Sequence, residues 1–488
     1  MFAAKLEVKT IFSKLTPLDE THPGLIELWA HLYETLAYEV HNNFFIKASS
    51  PNHFISEIWD GYNRLFNQKS GKFLTGLLPY VLEGLKQFNV PYEIVDERPI
   101  YDKPGPIETC AVELRHYQQD ALDQIIANKR GIIFARPRSG KTIIEIMMVA
   151  KLNLFPVISI CQSIDIARQT VEKFKQFLPQ IPVGMVGDGE CDIQPITVVT
   201  IQSVMSAYSV KETIPKKELE KFLSQSDKGK LQRLVETAKI VWADECHHVV
   251  SSTWKYILQN KIYAAEYIIG CSGTPYREDN TNLLLEGLLG PIIYEINYST
   301  LIDEGFLVRP TIHLIKIPET MQFTTEPYAT IYKKAIIEND LRNKAIAKTI
   351  YALTSTGRSC LVLVSKITHG NELLKYMPYA KFSYSKSSDR ASLWYQLKTK
   401  QILCLITTLG DEGVDIPNLD ATIIAAGGES AIKVFQRMRC MTPYPGKNAA
   451  IMVDFLDPYK YLKIHSKKRA KLYKSEASFR ITMKEAKI

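Results

Sequence analysis

The string ARPRSGKT, from Ala135 to Thr142, constrains this chain more than any other. It lies between Gly131–Ala135 (GIIFA), a short apolar run of strand type, and Thr142–Lys151 (TIIEIMMVAK), a helix-forming run with an apolar face. A glycine loop at a strand-to-helix junction presents backbone N–H groups and the positive end of the helix dipole to one point, which suits phosphate oxygens. Arg138, Ser139 and Gly140 would form the cradle, Lys141 would neutralise the β- and γ-phosphates, and Thr142 would ligate Mg²⁺. The competing reading of the same letters is a glycine turn with a surface lysine.

A second string, VWADECHH from Val241 to His248, supplies the complementary chemistry. Ile240–Ala243 reads as a buried strand delivering acids at its C-terminal end, where ligands gather in open α/β sheets. Asp244 would hold Mg²⁺ through water, and Glu245 would orient and deprotonate the attacking water, because phosphoryl transfer is mostly positioning and charge neutralisation. Cys246, His247 and His248 suggest zinc only superficially. Three adjacent residues cannot easily converge on one tetrahedral ion, and no partner pair at zinc-finger spacing occurs in the chain, so no zinc is expected.

The order of the remaining motifs resembles a superfamily 2 helicase with a DEAH-like box. LRHYQQDAL (Leu114–Leu122) resembles the adenine-reading segment of such enzymes, with Gln118 at the glutamine position and Arg115 beside it. VISICQSIDIARQ (Val157–Gln169) resembles a strand and loop that grip a nucleic-acid backbone, although the usual Pro-Thr pair is replaced by Gln162 and Ser163. ITVVTIQSV (Ile196–Val204) resembles a second backbone contact through Thr200 and Gln202, and Ser272, Gly273 and Thr274 match the motif that couples hydrolysis to domain movement.

A second strand-helix rhythm follows. Cys360–Ser365 opens a strand and His369-Gly370 begins a helix, as in a second RecA-like lobe. Ile402–Thr408 is a buried strand leading to LGDEGVDIP, where Glu412, Gly413 and Asp415 match the segment that meets both nucleic acid and ATP, with Thr408 on the nucleic-acid side. In GGESAIKVFQRMRC, Gln436, Arg437 and Arg439 fall where the family carries its arginine finger. The family's spacing would place arginines four and seven residues after the glutamine, but those positions hold Cys440 and Pro443. Either Arg437 or Arg439 takes over, with Arg439 preferred, or a different donor serves.

The resemblance implies an α/β fold of two tandem RecA-like lobes, parallel sheets with helices on both faces, plus a small α+β N-terminal domain. The expected divisions are residues 1–105 for an accessory DNA-binding domain, 106–298 for the first lobe, 299–320 for an inter-lobe linker, 321–458 for the second lobe and 459–488 for a basic C-terminal helix. In the accessory segment, a helix is expected over Gly24–Tyr38, a strand over Asn43–Ala48, a hairpin around Asn67–Lys72 and a helix capped by Thr75, with Asp102–Pro106 (DKPGP) as a linker. Trp59-Asp60-Gly61, LIDEGFLVRP (Leu301–Pro310) and DFLD (Asp454–Asp457) resemble the UvsW-like branch of phage helicases. Arg64, Lys69 and Lys72, beside Tyr62 and Phe66, either track a backbone or are incidental charges on a hydrophobic core.

Bulk properties set limits. Hydrophobic residues at 46% and charged residues at 23% describe a globular protein, and 488 residues leave room for about three domains of roughly 100–200 residues. No apolar run reaches the roughly 20 residues of a membrane span, no signal-peptide pattern opens the chain, and eight scattered cysteines form no C-x-x-C pair. A cytoplasmic protein with reduced thiols and no membrane partner is expected, in the host cytoplasm if phage-encoded. The net charge is +8, and the last thirty residues alone hold ten Lys or Arg against Glu476 and Glu485. That tail reads either as phosphate contacts with Tyr473 and Phe479 interleaved, or as a solvated helix packed by its apolar side.

The implied activity is ATP-dependent, Mg²⁺-requiring movement of a monomer along DNA, forked or branched and without sequence specificity. Plain unwinding opposes about 1.4 kcal/mol per base-pair step, whereas strand exchange is nearly balanced, so branch migration, fork reversal or removal of R-loops and D-loops suits a small motor. The alternatives are an RNA helicase or remodeller, and the motor subunit of a restriction or defence complex.

Overall fold

The computed structural model describes residues 2–40, 43, 46–47, 59–110, 113–208, 224–273, 281–384, 387–408, 416–428, 438–447 and 449–486. They form two compact units, one of Met1–Arg136 with Gly140–Ile296 and one of Asn297–Ile488 with the short stretch Pro137–Ser139.

The first unit contains two large sheets and a two-stranded one. Strands β1 (Ala4–Val8), β2 (Phe12–Pro17), β5 (Phe66–Asn67), β6 (Lys72–Leu74) and β7 (Tyr92–Asp96) make a sheet in the order β5-β6-β2-β1-β7, while β3 (Ala37–Glu39) pairs β4 (Tyr62–Arg64) separately. Helix Pro23–Thr35 covers this sheet through Leu25, Leu28 and Leu32, which recur at helical spacing. The expected hairpin is present, with Phe66 paired to Phe73. Thr75 is not a helix cap. It is buried, its hydroxyl donates to the Lys9 carbonyl at 2.8 Å and lies 2.9 Å from Ser13 Oγ, and the helix starts only at Leu78. Of the strand expected over Asn43–Ala48, the described residues Asn43, Ile46 and Lys47 are helical.

The second sheet carries the ARPRSGKT loop at the end of one of its strands. Strands β8 (Arg130–Ala135), β9 (Val157–Cys161), β10 (Val183–Gly187), β11 (Glu190–Cys191), β12 (Ile196–Thr200), β13 (Ile240–Asp244), β14 (Tyr267–Ser272) and β15 (Ile292–Ile296) lie in the order β11-β10-β12-β9-β13-β14-β8-β15. All neighbours run parallel except the β10–β11 hairpin. Strands buried on both faces need no alternation, which is why β9 and β12 are buried throughout.

The two sheets share one hydrophobic core, running from Leu6, Phe73 and Leu77 through Leu285 and Leu288 to Val241. Arg130 donates to the carbonyls of Thr10 and Leu288, and Thr10 donates to Tyr263 O at 3.0 Å. Gly76 approaches so closely that a Cβ there would sit 2.0 Å from the Glu286 carbonyl oxygen. The DKPGP stretch is pinned as well: Lys103 donates to Glu266 at 2.9 Å, and Tyr101 donates to Ala264 O at 2.9 Å.

The second unit holds one parallel sheet. Its strands are β16 (Pro310–Lys316), β17 (Cys360–Val364), β18 (Lys381–Ser383), β19 (Cys404–Thr408), β20 (Ala421–Ile424), β21 (Ala450–Leu456) and β22 (Arg480–Glu485), in the order β18-β19-β17-β20-β21-β16-β22. Two expectations are corrected here. Residues 310–316, assigned to a linker, form a strand because Ile312 and Leu314 are buried beside β21. The tail is a helix, Lys460–Ser475, followed by edge strand β22 rather than a helix alone.

Candidate functional site

Parallel strands place all their C-terminal ends on one edge, and the first unit's motif residues gather there. The cradle leaves β8, turns through Arg136–Gly140 and enters helix Lys141–Leu152. Arg138 and Gly140 have φ of +71° and +85°, so successive N–H groups can converge, as in anion-binding nests. Ser139 is fully buried, and Thr142 is the second residue of the helix.

Asp244 ends β13, directly registered with Cys271 of β14, and Glu245 turns out of the strand with φ of +46°. Lys141 Nζ donates to Glu245 Oε1 at 2.6 Å and lies 3.8 Å from Asp244 Oδ1. Burial alone would lower the Lys141 ammonium, but the carboxylates of Glu245 and Asp244 outweigh it and raise its pKa. Burial likewise favours a neutral Glu245, yet Lys141 and His247 hold its carboxyl well below the usual range. Asp244 is raised, first by burial, with Lys141 opposing and the Glu245 charge adding.

Ser272 ends β14 beside this group. Its hydroxyl donates to Glu245 Oε2 at 3.3 Å and lies 2.9 Å from Nδ1 of His247, whose ring packs on His248 at 4.1 Å between centroids. Gly273 accepts from Arg136 at 3.3 Å, and Thr274 lies outside the described residues. The serine of the coupling motif is thus in contact with the expected base through one bond.

Gln118 is buried, and its Oε1 accepts the Arg115 N–H at 3.1 Å while its Nε2 faces Gly140, where a Cβ would come within 2.3 Å. This amide therefore abuts the cradle. Ser163 caps helix Ile164–Phe177, accepting from Ile166 N–H at 3.4 Å. Thr200 Oγ1 lies 2.9 Å from Ser203 Oγ, and the exposed Gln202 donates to Gln162 O at 3.2 Å. These residues share the cradle's edge of the sheet, since β12 pairs β9 in parallel with Thr200 opposite Cys161.

At the hairpin, Lys69 and Lys72 are exposed, with Lys72 Nζ 3.9 Å from the Phe12 ring centroid. Phe66 is in the core against Trp29, the second of the two readings the sequence left open, and Arg64 pairs with Asp60 at 2.5 Å. Tyr473 and Phe479 are also buried, which removes them from the tail's surface.

In the second unit, Thr408 ends β19 half-buried, and Arg439 opens a short turn over Arg439–Met441, also half-buried. Glu412, Gly413, Asp415, Gln436 and Arg437 lie outside the described residues. Sequence reading missed what holds the chain after β20. The carbonyl of Ala425 accepts from Arg342 at 2.9 Å, that of Ala426 from Tyr332 at 2.5 Å and that of Gly428 from Arg469 at 2.6 Å. Arg342 forks onto Asp457 at 2.7 and 3.3 Å, and Arg469 onto Asp454 at 2.8 and 3.0 Å. Asp454 and Asp457 belong to the DFLD string, but a lone DxxD in a sequence does not announce which distant arginines it will meet.

A hydroxyl, a carboxylate and a loop of backbone donors are hard-oxygen and phosphate-binding chemistry, and fit a magnesium nucleotide at Thr142 and Asp244. Among the described residues no three His, Cys, Asp or Glu side chains converge as a metal site. No described helix is long and apolar enough to cross a membrane.

Two parallel-sheet units, the first with the Arg136–Gly140 loop beside Lys141, Asp244 and Glu245, define tandem RecA-like lobes; the yeast Dbp5 structure matches 76% of the chain and 89% of its own with a TM-score of 0.51 at 14% identity. Residues 111–277 match the family described as Type III restriction enzyme, res subunit. The chain is 27% identical over 377 residues to a provisionally named helicase 22 of Sulfolobus islandicus filamentous virus, covering 70% of this chain and 64% of that protein. It is 30% identical over 223 residues to the DNA 3'-5' translocase XPB2 of Sulfurisphaera tokodaii, covering 44% of each. It is 23% identical over 372 residues to the ATP-dependent DNA helicase uvsW of Enterobacteria phage T4, covering 71% of this chain and 69% of that one. The chain therefore resembles superfamily 2 helicases, the phage UvsW type among them, while spanning 64% and 44% of the first two relatives' lengths.

Proposed function

We propose that this protein is an ATP-driven DNA helicase or translocase whose preferred track is branched or forked DNA. The observation that carries the reading is the Lys141–Glu245–Ser272 contact at the cradle, because it links phosphate capture to the state of the base. Mg²⁺ bound with ATP at Thr142 and Asp244 would supply charge neutralisation on the phosphates.

Lys141 is bonded to Glu245 and holds that carboxyl well below the usual carboxylate range. Capture of β- and γ-phosphates draws the ammonium away, and the Glu245 pKa climbs towards the range of a useful base. Ser272, bonded to Glu245, carries the change towards the Ser272–Thr274 motif, and Arg437 or Arg439 would stabilise charge on the γ-phosphate. Gln118 and Arg115 would border the base of the nucleotide, with Glu412, Gly413 and Asp415 contributing from the second lobe. Ser163, Thr200, Gln202 and Thr408 would hold one strand by its phosphates, without reading sequence. Residues 1–105, with Lys69 and Lys72 at the hairpin, would extend that track, and the names of the XPB2 and uvsW relatives favour DNA over RNA.

The test compares ATPase and strand-displacement rates on duplex, single-stranded, forked and four-way DNA and on RNA. Stimulation by forked or four-way DNA above the linear forms is expected; stimulation by single-stranded RNA alone would overturn the proposal. A second reading, the motor of a restriction complex, is favoured by the family matched over residues 111–277. Stable co-purification with a nuclease or methylase subunit would select it.

A further inference from the structure

Helix Lys460–Ser475 divides its residues sharply. Leu462, Ser466, Arg469 and Tyr473 recur at intervals of four, three and four and are buried, while Lys463, Lys467, Lys471 and Lys474 recur at intervals of four, four and three and are exposed. Lys460 begins the row and donates to Thr324 O. No acidic residue occurs from Pro458 to Ser475. At a rise of 1.5 Å per residue the row from Lys460 to Lys474 is about 21 Å long, with one ammonium roughly every turn.

The platform beneath is rigid. Arg469 forks onto Asp454 and Tyr473 donates to the same carboxylate at 2.8 Å, all three fully buried. This anchoring also separates two kinds of polyanion. A basic amphipathic helix binds a bilayer by inserting its apolar face, and here that face is packed on the sheet. Apart from Tyr461 and Ile464 near its start, what the helix exposes is a line of cations, which matches a line of phosphates.

We propose that the lysine row of helix Lys460–Ser475 is a docking surface for a nucleic-acid phosphate backbone, held without sequence preference. It rests on the reading of the protein as a DNA motor, and adds a contact outside the motifs of that reading. Like-charged side chains held in a row repel one another, and a polyanion relieves that repulsion while releasing its own counterions.

The experiment measures binding of labelled duplex and single-stranded DNA by the full chain across a salt series, beside DNA-free ATPase. In the fourfold variant Lys463→Gln, Lys467→Gln, Lys471→Gln, Lys474→Gln, the slope of log K against log salt should become shallower by about 3, at roughly 0.7–0.9 per lost contact, with affinity at least about tenfold weaker. DNA-free ATPase should be unchanged. A fourfold Lys→Gln control at Lys86, Lys175, Lys381 and Lys398, exposed lysines elsewhere, should leave the slope at the wild-type value. If the fourfold variant does not fold, Lys467→Gln with Lys471→Gln carries the test at half the slope change.

An unchanged slope in a variant with normal ATPase overturns the proposal, as does row-dependent binding to anionic vesicles without binding to DNA. Row-dependent DNA binding by a wild-type protein that hydrolyses no ATP would leave the row standing and remove the motor reading instead. DNA-stimulated ATPase with a row-independent slope would do the reverse.

Discussion

Both units carry buried charge at or near strand ends, but they balance it differently. In the first, one ammonium serves two carboxylates, at 2.6 and 3.8 Å, and the side chains of Lys141, Asp244 and Glu245 keep 17–20% exposure. In the second, Arg342 meets Asp457 and Arg469 meets Asp454, one guanidinium to each carboxylate, with 0% exposure throughout. The guanidiniums also take up the carbonyls of Ala425 and Gly428. A cluster left with surplus charge and an opening can receive a ligand; a cluster with every donor matched can only hold the chain. The difference is the physical distinction between a site and a joint.

Glu245→Gln tests the site most severely. It should lower ATP turnover by roughly 10²–10⁴-fold while a non-hydrolysable nucleotide still binds, measured by steady-state hydrolysis and fluorescence titration. Turnover within tenfold of wild type would remove Glu245 from the base role.

The joint should answer in stability rather than turnover. Arg342→Met alone leaves Asp457 buried and unmatched and should cost about 3–5 kcal/mol in denaturant unfolding of the second unit. Adding Asp457→Leu should recover most of that loss. If the double variant is no better than the single one, the pair's matched charge is not what Arg342 contributes.

Glu145 sits between the two cases. It lies buried on the cradle's helix, and burial, followed by the Asp244 charge, pushes its carboxyl up to about 8. A carboxyl raised in the folded state is protonated there but ionised in the unfolded chain above about pH 4.5, so wild-type stability falls as pH rises from about 5 to 8. Glu145→Gln should flatten that fall, and the variant's melting temperature relative to wild type should rise across the same window.

Gly140→Ala combines a φ of +85° with a Cβ placed 2.3 Å from Gln118 Nε2, and should weaken nucleotide binding by about tenfold, the cost of roughly 1–3 kcal/mol of strain. Adding Gln118→Ala should return only the part owed to the clash. The smallest effect is expected at the exposed pair of Lys344 and Asp340, 2.8 Å apart, where Lys344→Ala should change stability by less than about 0.5 kcal/mol.

The cradle, the acid pair and the parallel α/β class were legible because each depends on neighbours in the chain. A glycine in the left-handed region, a lysine at a helix start and two acids after an apolar run are local patterns. Thr75 was misjudged, and Phe66 left between two readings, for the converse reason. A threonine before a helix and an aromatic beside lysines look alike whether exposed or buried, and only packing against Lys9, Ser13 and Trp29 decided. The tail divided in the same way: its lysines were countable, but the burial of Tyr473 and Phe479, and the surface they leave to the lysines, came from the sheet below.

By itself the sequence determined the order of the strands' motifs, the residue types at the strand-to-helix glycine loop and the excess of positive charge in the last thirty residues. These follow from local sterics and helix dipoles, which act over a few residues. Only the tertiary structure decided that the N-terminal sheet shares a core with the eight-stranded sheet, that Lys141 rests on Glu245, and that Arg342 and Arg469 clasp the chain beyond β20. Those contacts join residues roughly forty to two hundred and eighty positions apart, and what selects them is the burial of apolar surface and the requirement that every buried charge find its partner.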